Sequence, residues 1–279
     1  MAIISFWSGD KKASGQTLSM AAIATQMCIE HNMRTLMIDG TFDDDTLERC
    51  FWNVQKNNRS IARQLNAGKI DLASGAEGLV SAVASNKTSP EIISNYTKII
   101  FKNRLDVLPG LKTKILEEHE KSLMLYKDLL TAANKYYDLV FIDLSKTLKR
   151  ETTKAILDAS AVIMYTMPPN LKKIDYYIRL KAEHPMMRKG NVIPVLTMSD
   201  SDSKYNVKNA QKYIGEKTLV TVPYNTLFME SASEAGVANM FLQLRLSKSA
   251  ADKNTQFLNS VSDCGKQIIY KLQELQYKV

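Results

Sequence analysis

Short, almost unbroken apolar runs recur along this 279-residue chain, each bounded by turn residues and followed by a stretch of helical period. They are AIISFW (2–7), RTLMID (34–39), LDVLPG (105–110), YDLVFIDL (137–144), AVIMYTM (161–167), NVIPVLT (191–197) and TLVTVP (218–223). None alternates apolar with polar residues, as a strand wetted on one face would. Each therefore reads as a strand covered on both faces. The segments between them space their apolar residues helically, as Leu18, Ala21, Ala22, Thr25 and Ile29 do within 17–32. Further helices are expected at about 116–135, 151–159, 170–183, 205–214, 229–244 and 254–277. Strand–helix alternation from end to end predicts an α/β fold, a doubly wound, mostly parallel sheet flanked by helices. Residues 40–104, interrupted by FDDD, QKNN and SGAEG, read as an irregular insertion within a single domain spanning 1–279.

In such a sheet, ligands bind beyond the carboxyl ends of the strands. The segment after the first strand is SGDKKASGQT (8–17), directly before a helical stretch. A phosphate-binding loop has the form GxxxxGK[ST]: backbone N–H groups and the helix N-terminus hold phosphates, the lysine reaches the outer ones and the hydroxyl binds magnesium. Anchored on Gly15, the chain supplies the second glycine and Thr17, but Asp10 replaces the first glycine and Gln16 the lysine. From these residues alone, a plain strand–turn–helix connection with Thr17 near the helix start stays open beside the phosphate loop. The second strand ends in Asp39, and the YDLVFIDL strand after it carries Asp143 behind four apolar residues. A strand-end aspartate capping the next turn is the other reading of Asp143.

Taken together, the loop, RTLMIDG, LDVLPG, YDLVFIDL, AILDASAVIMYTMPPN, VIPVLT and TVPYNTLFMESASEAG resemble, in order, the ParA/MinD family of partition and septum-site ATPases, which includes the TadZ-like pilus-localisation proteins. That resemblance spans nearly the whole chain and implies a P-loop NTPase-like fold. The family's deviant loop reads xKGGxGKT. Lys11 matches its signature lysine, Lys12 and Ala13 replace the two glycines, and Gln16 replaces the second lysine. The resemblance implies that Lys11, Lys12, Ala13, Ser14, Gly15, Gln16, Thr17 and Leu18 cradle ATP or ADP, with Pro223 near the base. It implies that Thr17 and Asp143 order Mg²⁺, the aspartate through water, and that Asp39 orders metal or attacking water. The family's second carboxylate beyond the second strand corresponds to Thr41, and its base-contacting asparagine to Thr197. It further implies a homodimer in which Lys11 reaches the partner's phosphates.

Gln16 is the departure with chemical weight. A lysine lost about 4 Å from a phosphate charge removes roughly 4 kcal/mol at an effective dielectric of 20, and an amide hydrogen bond returns about 0.5–1.5 kcal/mol. The deficit falls hardest on the transition state, where charge moves on the transferring phosphoryl group. The expectation is a degenerate family member with hydrolysis slow or absent and nucleotide binding weakened or lost. It would act in partitioning or positioning through dimerisation and contacts with a partition, secretion or pilus partner. An active ATPase with Lys11 or Lys12 in place of the loop lysine, and a nucleotide-free scaffold, are the alternatives.

Composition excludes other classes. Three distant cysteines, Cys28, Cys50 and Cys264, argue against a disulfide framework or zinc site and suit a reducing cytoplasm. The start MAIISFWSGD lacks a basic leader, so no signal peptide is expected. His31, His119 and His184 are too scattered to form a ligand set. Thirty-seven Lys+Arg against 29 Asp+Glu give +8, spread along the chain, which suits a solvated basic surface as well as an anionic partner. Basic positions in 204–217 and 245–253 are candidates for nonspecific DNA contact. The C-terminal KQIIYKLQELQYKV (266–279) sets Ile268, Ile269, Leu272 and Leu275 on one face among lysines. That pattern reads as a helix packed on the sheet, with peripheral membrane contact as the alternative.

Overall fold

The computed structural model describes residues 1–9, 14–54, 75–85, 90–144, 150–245 and 252–276. In them, β1 (Ala2–Trp7), β2 (Thr35–Gly40), β3 (Lys98–Phe101), β4 (Leu105–Leu108), β5 (Leu139–Leu144), β6 (Val162–Met167), β7 (Val192–Ser199) and β8 (Val220–Pro223) form one sheet. Its order is β3-β4-β2-β5-β1-β6-β7-β8, and every pair is parallel except β3–β4. All seven apolar runs are strands. β2 and β5 are buried at every position because helices cover both faces of the sheet. β3 is the strand the pattern missed: four residues, KIIF, at an edge and partly exposed, within the segment expected to be irregular.

One face of the sheet is covered by α1 (Gln16–Glu30), α9 (Thr226–Ser233), α10 (Val237–Leu244) and α11 (Lys253–Gln276). Three rings seal it: Phe228 lies 5.0 Å from Phe257 and 6.2 Å from Phe241. Ala21, Ala22 and Ala24 let α1 lie close against the strands. The other face carries α3 (Gly75–Ala84), α4 (Leu116–Met124), α5 (Tyr126–Ala133), α6 (Arg150–Ala159), α7 (Leu171–Glu183) and α8 (Val207–Ile214); the short α2 (Thr46–Arg49) follows β2. The helix expected over 116–135 breaks at Leu125, and that over 229–244 begins at Thr226 and breaks at Ala235, whose φ is +60°. An L-residue held in the left-handed region ends a right-handed helix.

The C-terminal pattern resolves as packing. Ile268 is buried in the core of the first face, with Ile269, Leu272 and Leu275 packed against it. Gly265 sits so close to α1 that an added Cβ would lie 2.7 Å from Met27 Cγ. The apolar face of α11 thus packs on the sheet and on α1; 277–279 lie outside the described residues. Among the described residues, no helix is long and apolar enough to cross a membrane. Cys28, Cys50 and Cys264 are free and buried, and burial pushes each thiol up to about 12. They behave as small apolar side chains.

Candidate functional site

β1 lies at the centre of the sheet, and the loop after it opens α1. Gly15 precedes that helix with φ +67°, a conformation that costs any residue with a Cβ. It is also hemmed in: a Cβ there would lie 3.1 Å from Thr197 Cβ at the end of β7. Thr197 Oγ1 donates to the Ser14 carbonyl, fastening the loop to β7. Gly15, the N-cap residue of α1, has no side chain to cap the helix. Thr17 and Leu18, in the first turn, are half-buried. Asp10, Lys11, Lys12 and Ala13 lie outside the described residues.

Gln16 is the decisive side chain. It is only 3% exposed, and its Nε2 donates both to the Asp143 carboxylate and, at 2.8 Å, to the Leu144 carbonyl. The position where a phosphate loop carries its lysine therefore holds a neutral amide directed at the carboxylate assigned to the metal. The Gln16 Oε1 atom is buried without a partner.

Asp39 and Asp143 are register partners on adjacent parallel strands, so two carboxylates stand side by side at the strand ends. Thr41 donates to Asp39 Oδ1 twice, from its N–H at 2.8 Å and its hydroxyl at 2.6 Å. Thr41 cannot replace a carboxylate as a base, but it does hold one. Burial, then the charges of Glu48 and Asp143, raise the Asp39 carboxyl well above the usual carboxylate range. Its Oδ2 is buried without a hydrogen bond.

The sequence did not show three further neighbours. Glu48 of α2 accepts from the Gly110 N–H at 2.8 Å, and its second oxygen is buried without a partner. His119 of α4 donates from Nε2 to the Thr41 carbonyl at 2.8 Å, and desolvation lowers its pKa. Tyr126 of α5 is fully buried, and its hydroxyl is raised by burial and then by Asp39. Nothing in their local sequence marks these residues; they reach the site through folding alone. Among the described residues, no group of three His, Cys, Asp or Glu side chains is arranged to hold a metal.

Ser14, Gly15, Gln16, Thr17, Asp39 and Asp143 thus meet at one end of the sheet. Thr197 meets them differently from its expected role at a base: it is fully buried and spends its hydroxyl on the loop backbone. Pro223 stands one strand further out, paired with Ser199. Against magnesium–nucleotide, the cradle geometry of Gly15 and the Thr17 hydroxyl fits. Position 16 itself supplies no cation and is already bonded to Asp143, while Lys11 and Lys12 lie outside the described residues.

No protein-family model matches the chain, and no curated protein sequence matches it. Solved structures do. A ParA family ATPase from Chlorobium tepidum superposes with a TM-score of 0.67 at 17% identity, covering 95% of this chain and 97% of that one. The septum site-determining protein MinD of Pyrococcus horikoshii, complexed with Mg-ADP, gives 0.65 at 16% identity over 97% and 98%. A chain of the MinC:MinD cell division protein complex of Aquifex aeolicus gives 0.56 at 12% identity over 91% and 99%. At these identities the likeness establishes the fold. The chain has the eight-stranded, mostly parallel architecture of the ParA/MinD ATPases along nearly its full length.

Proposed function

We propose that this protein acts in partitioning or subcellular positioning, as ParA- and MinD-type proteins do, through dimerisation and partner contacts, with ATP hydrolysis weak or absent. One observation carries the reading: Gln16, in the loop-lysine position, is buried and committed to Asp143 and Leu144. A magnesium–nucleotide would bring a divalent charge between Thr17 and Asp143; this chain meets it with an amide already seated on that carboxylate. The proposal keeps the fold's capacity to present surfaces and gives up the charge that speeds phosphoryl transfer.

Partner contact is supported by the fold it shares with a chain of the MinC:MinD complex. Nonspecific DNA contact has a weaker basis in the exposed Lys204, Lys208, Lys212 and Lys217 around α8. Phosphate release from ATP with Mg²⁺ tests the reading, with Thr17→Ala as control. The expected rate equals that of the control. A rate well above it, lost in Lys11→Ala or Lys12→Ala, would instead establish the active ATPase. Calorimetric titration with ATP and ADP separates the remaining alternative, because saturable binding excludes a nucleotide-free scaffold.

A further inference from the structure

Gln16 is the first residue of α1, and its side chain reaches the last two residues of β5. The reach is short because β1 lies beside β5, with Phe6 in register with Asp143. Both hydrogens of one NH2 group are spent there, one on the Asp143 carboxylate and one on the Leu144 carbonyl. Those two partners only accept, so the reverse orientation of the amide would set Oε1 against two oxygens. Nε2 alone fits, and Oε1 is left buried without a partner. Gln16 is 3% exposed and Asp143 is fully buried, so water competes little for either bond.

A methionine would fill a similar space without leaving a buried oxygen unpaired. What the amide adds is a charge-assisted bond to a carboxylate. A divalent cation, or a water in its first shell, needs the oxygens of that same carboxylate. An amide hydrogen and a cation both bring positive charge to one oxygen, so each weakens the hold of the other.

We propose that the Gln16 carboxamide is an internal plug on Asp143: it keeps a divalent cation off this carboxylate, and its removal admits one. The inference rests on the metal position that the proposed function sets between Thr17 and Asp143, and not on whether ATP is turned over. Opening the plug gives up two hydrogen bonds and relieves the unpaired Oε1. The balance is a penalty of about tenfold on cation affinity.

Mn²⁺ is the probe, titrated without nucleotide, with the free ion read by electron paramagnetic resonance. Gln16→Ala removes the amide and adds no charge. It should bind one Mn²⁺ about tenfold more tightly than the native chain, and the gain should vanish in Gln16→Ala/Asp143→Asn. Circular dichroism checks that each variant is folded. Equal affinity in native chain and folded Gln16→Ala overturns the proposal, as does a gain that survives Asp143→Asn. The native chain supplies a test that needs no variant. By NMR, its Gln16 side-chain N–H protons should exchange with water at least about tenfold more slowly than those of the exposed Gln273, and millimolar Mg²⁺ should leave them unmoved. Exchange at the Gln273 rate overturns the plug. Phosphate release enters neither readout, so the proposed function and the plug fail independently.

Discussion

Gln16→Lys restores the charge the loop lacks, and its effect follows from the contacts of Gln16. The native amide makes two hydrogen bonds, to the Asp143 carboxylate and the Leu144 carbonyl, and brings no charge to the site. An ammonium about 4 Å from a phosphate charge contributes roughly 4 kcal/mol at an effective dielectric of 20. Subtracting the 0.5–1.5 kcal/mol or so that an amide could offer a phosphate leaves about 3 kcal/mol. At about 1.4 kcal/mol per decade, ATP affinity should rise about a hundredfold. Calorimetry with ATP and Mg²⁺ reads that change directly, and phosphate release should rise with it relative to the native chain. The competing outcome is concrete. If the new ammonium simply stays on Asp143, the melting temperature rises while nucleotide affinity does not move. That result would refute the claim that the charge at position 16 is what limits this site.

Three other perturbations test the frame around it. Gly15→Ala puts a Cβ on a residue at φ +67° and 3.1 Å from Thr197 Cβ, and should cost about 1–2 kcal/mol, read by chemical denaturation. Asp39 titrates above its ordinary 3.8 in the fold, so its favourable contribution is complete below that value and is lost as pH rises through the folded pKa. Asp39→Asn keeps an acceptor for Thr41 and removes the buried charge; it should melt above the native chain at pH 8, the gap closing as pH falls towards about 4. Equal melting curves at every pH would contradict that assignment. Ile268→Ala empties a fully buried position of α11 and should cost about 2–5 kcal/mol, with no change in sedimentation with lipid vesicles.

The seven parallel-sheet strands were legible because burial on both faces leaves a simple trace, a continuous apolar run. β3 left little: an edge strand of four residues, KIIF, has only one neighbour to pair with, and its apolar run is too short to stand out within the irregular segment. The helix breaks at Leu125 and Ala235 were equally silent, since helical spacing continues across them. At the site, local sequence marked the residues on strand ends and in the loop: Gly15, Gln16, Thr17, Asp39 and Asp143. It announced the missing charge at position 16 but not where the replacement amide goes, because Asp143 lies 127 positions away. Glu48, His119 and Tyr126 reach Asp39 and Thr41 from separate helices, and no spacing rule connects them. Thr41 shows the limit from the other side. Read as a lost carboxylate, it proves to be the donor that anchors the remaining one.

The bond from Gln16 to the end of β5 has a thermodynamic consequence of its own. Where a bound ligand ties a loop to a neighbouring strand, the fold gains stability with the logarithm of that ligand's free concentration. Here the tie belongs to the chain, so its effective concentration is constant and the loop end of β1 stays joined to β5 without any metabolite. The share of stability that this bond contributes should therefore be independent of the energy charge of its surroundings.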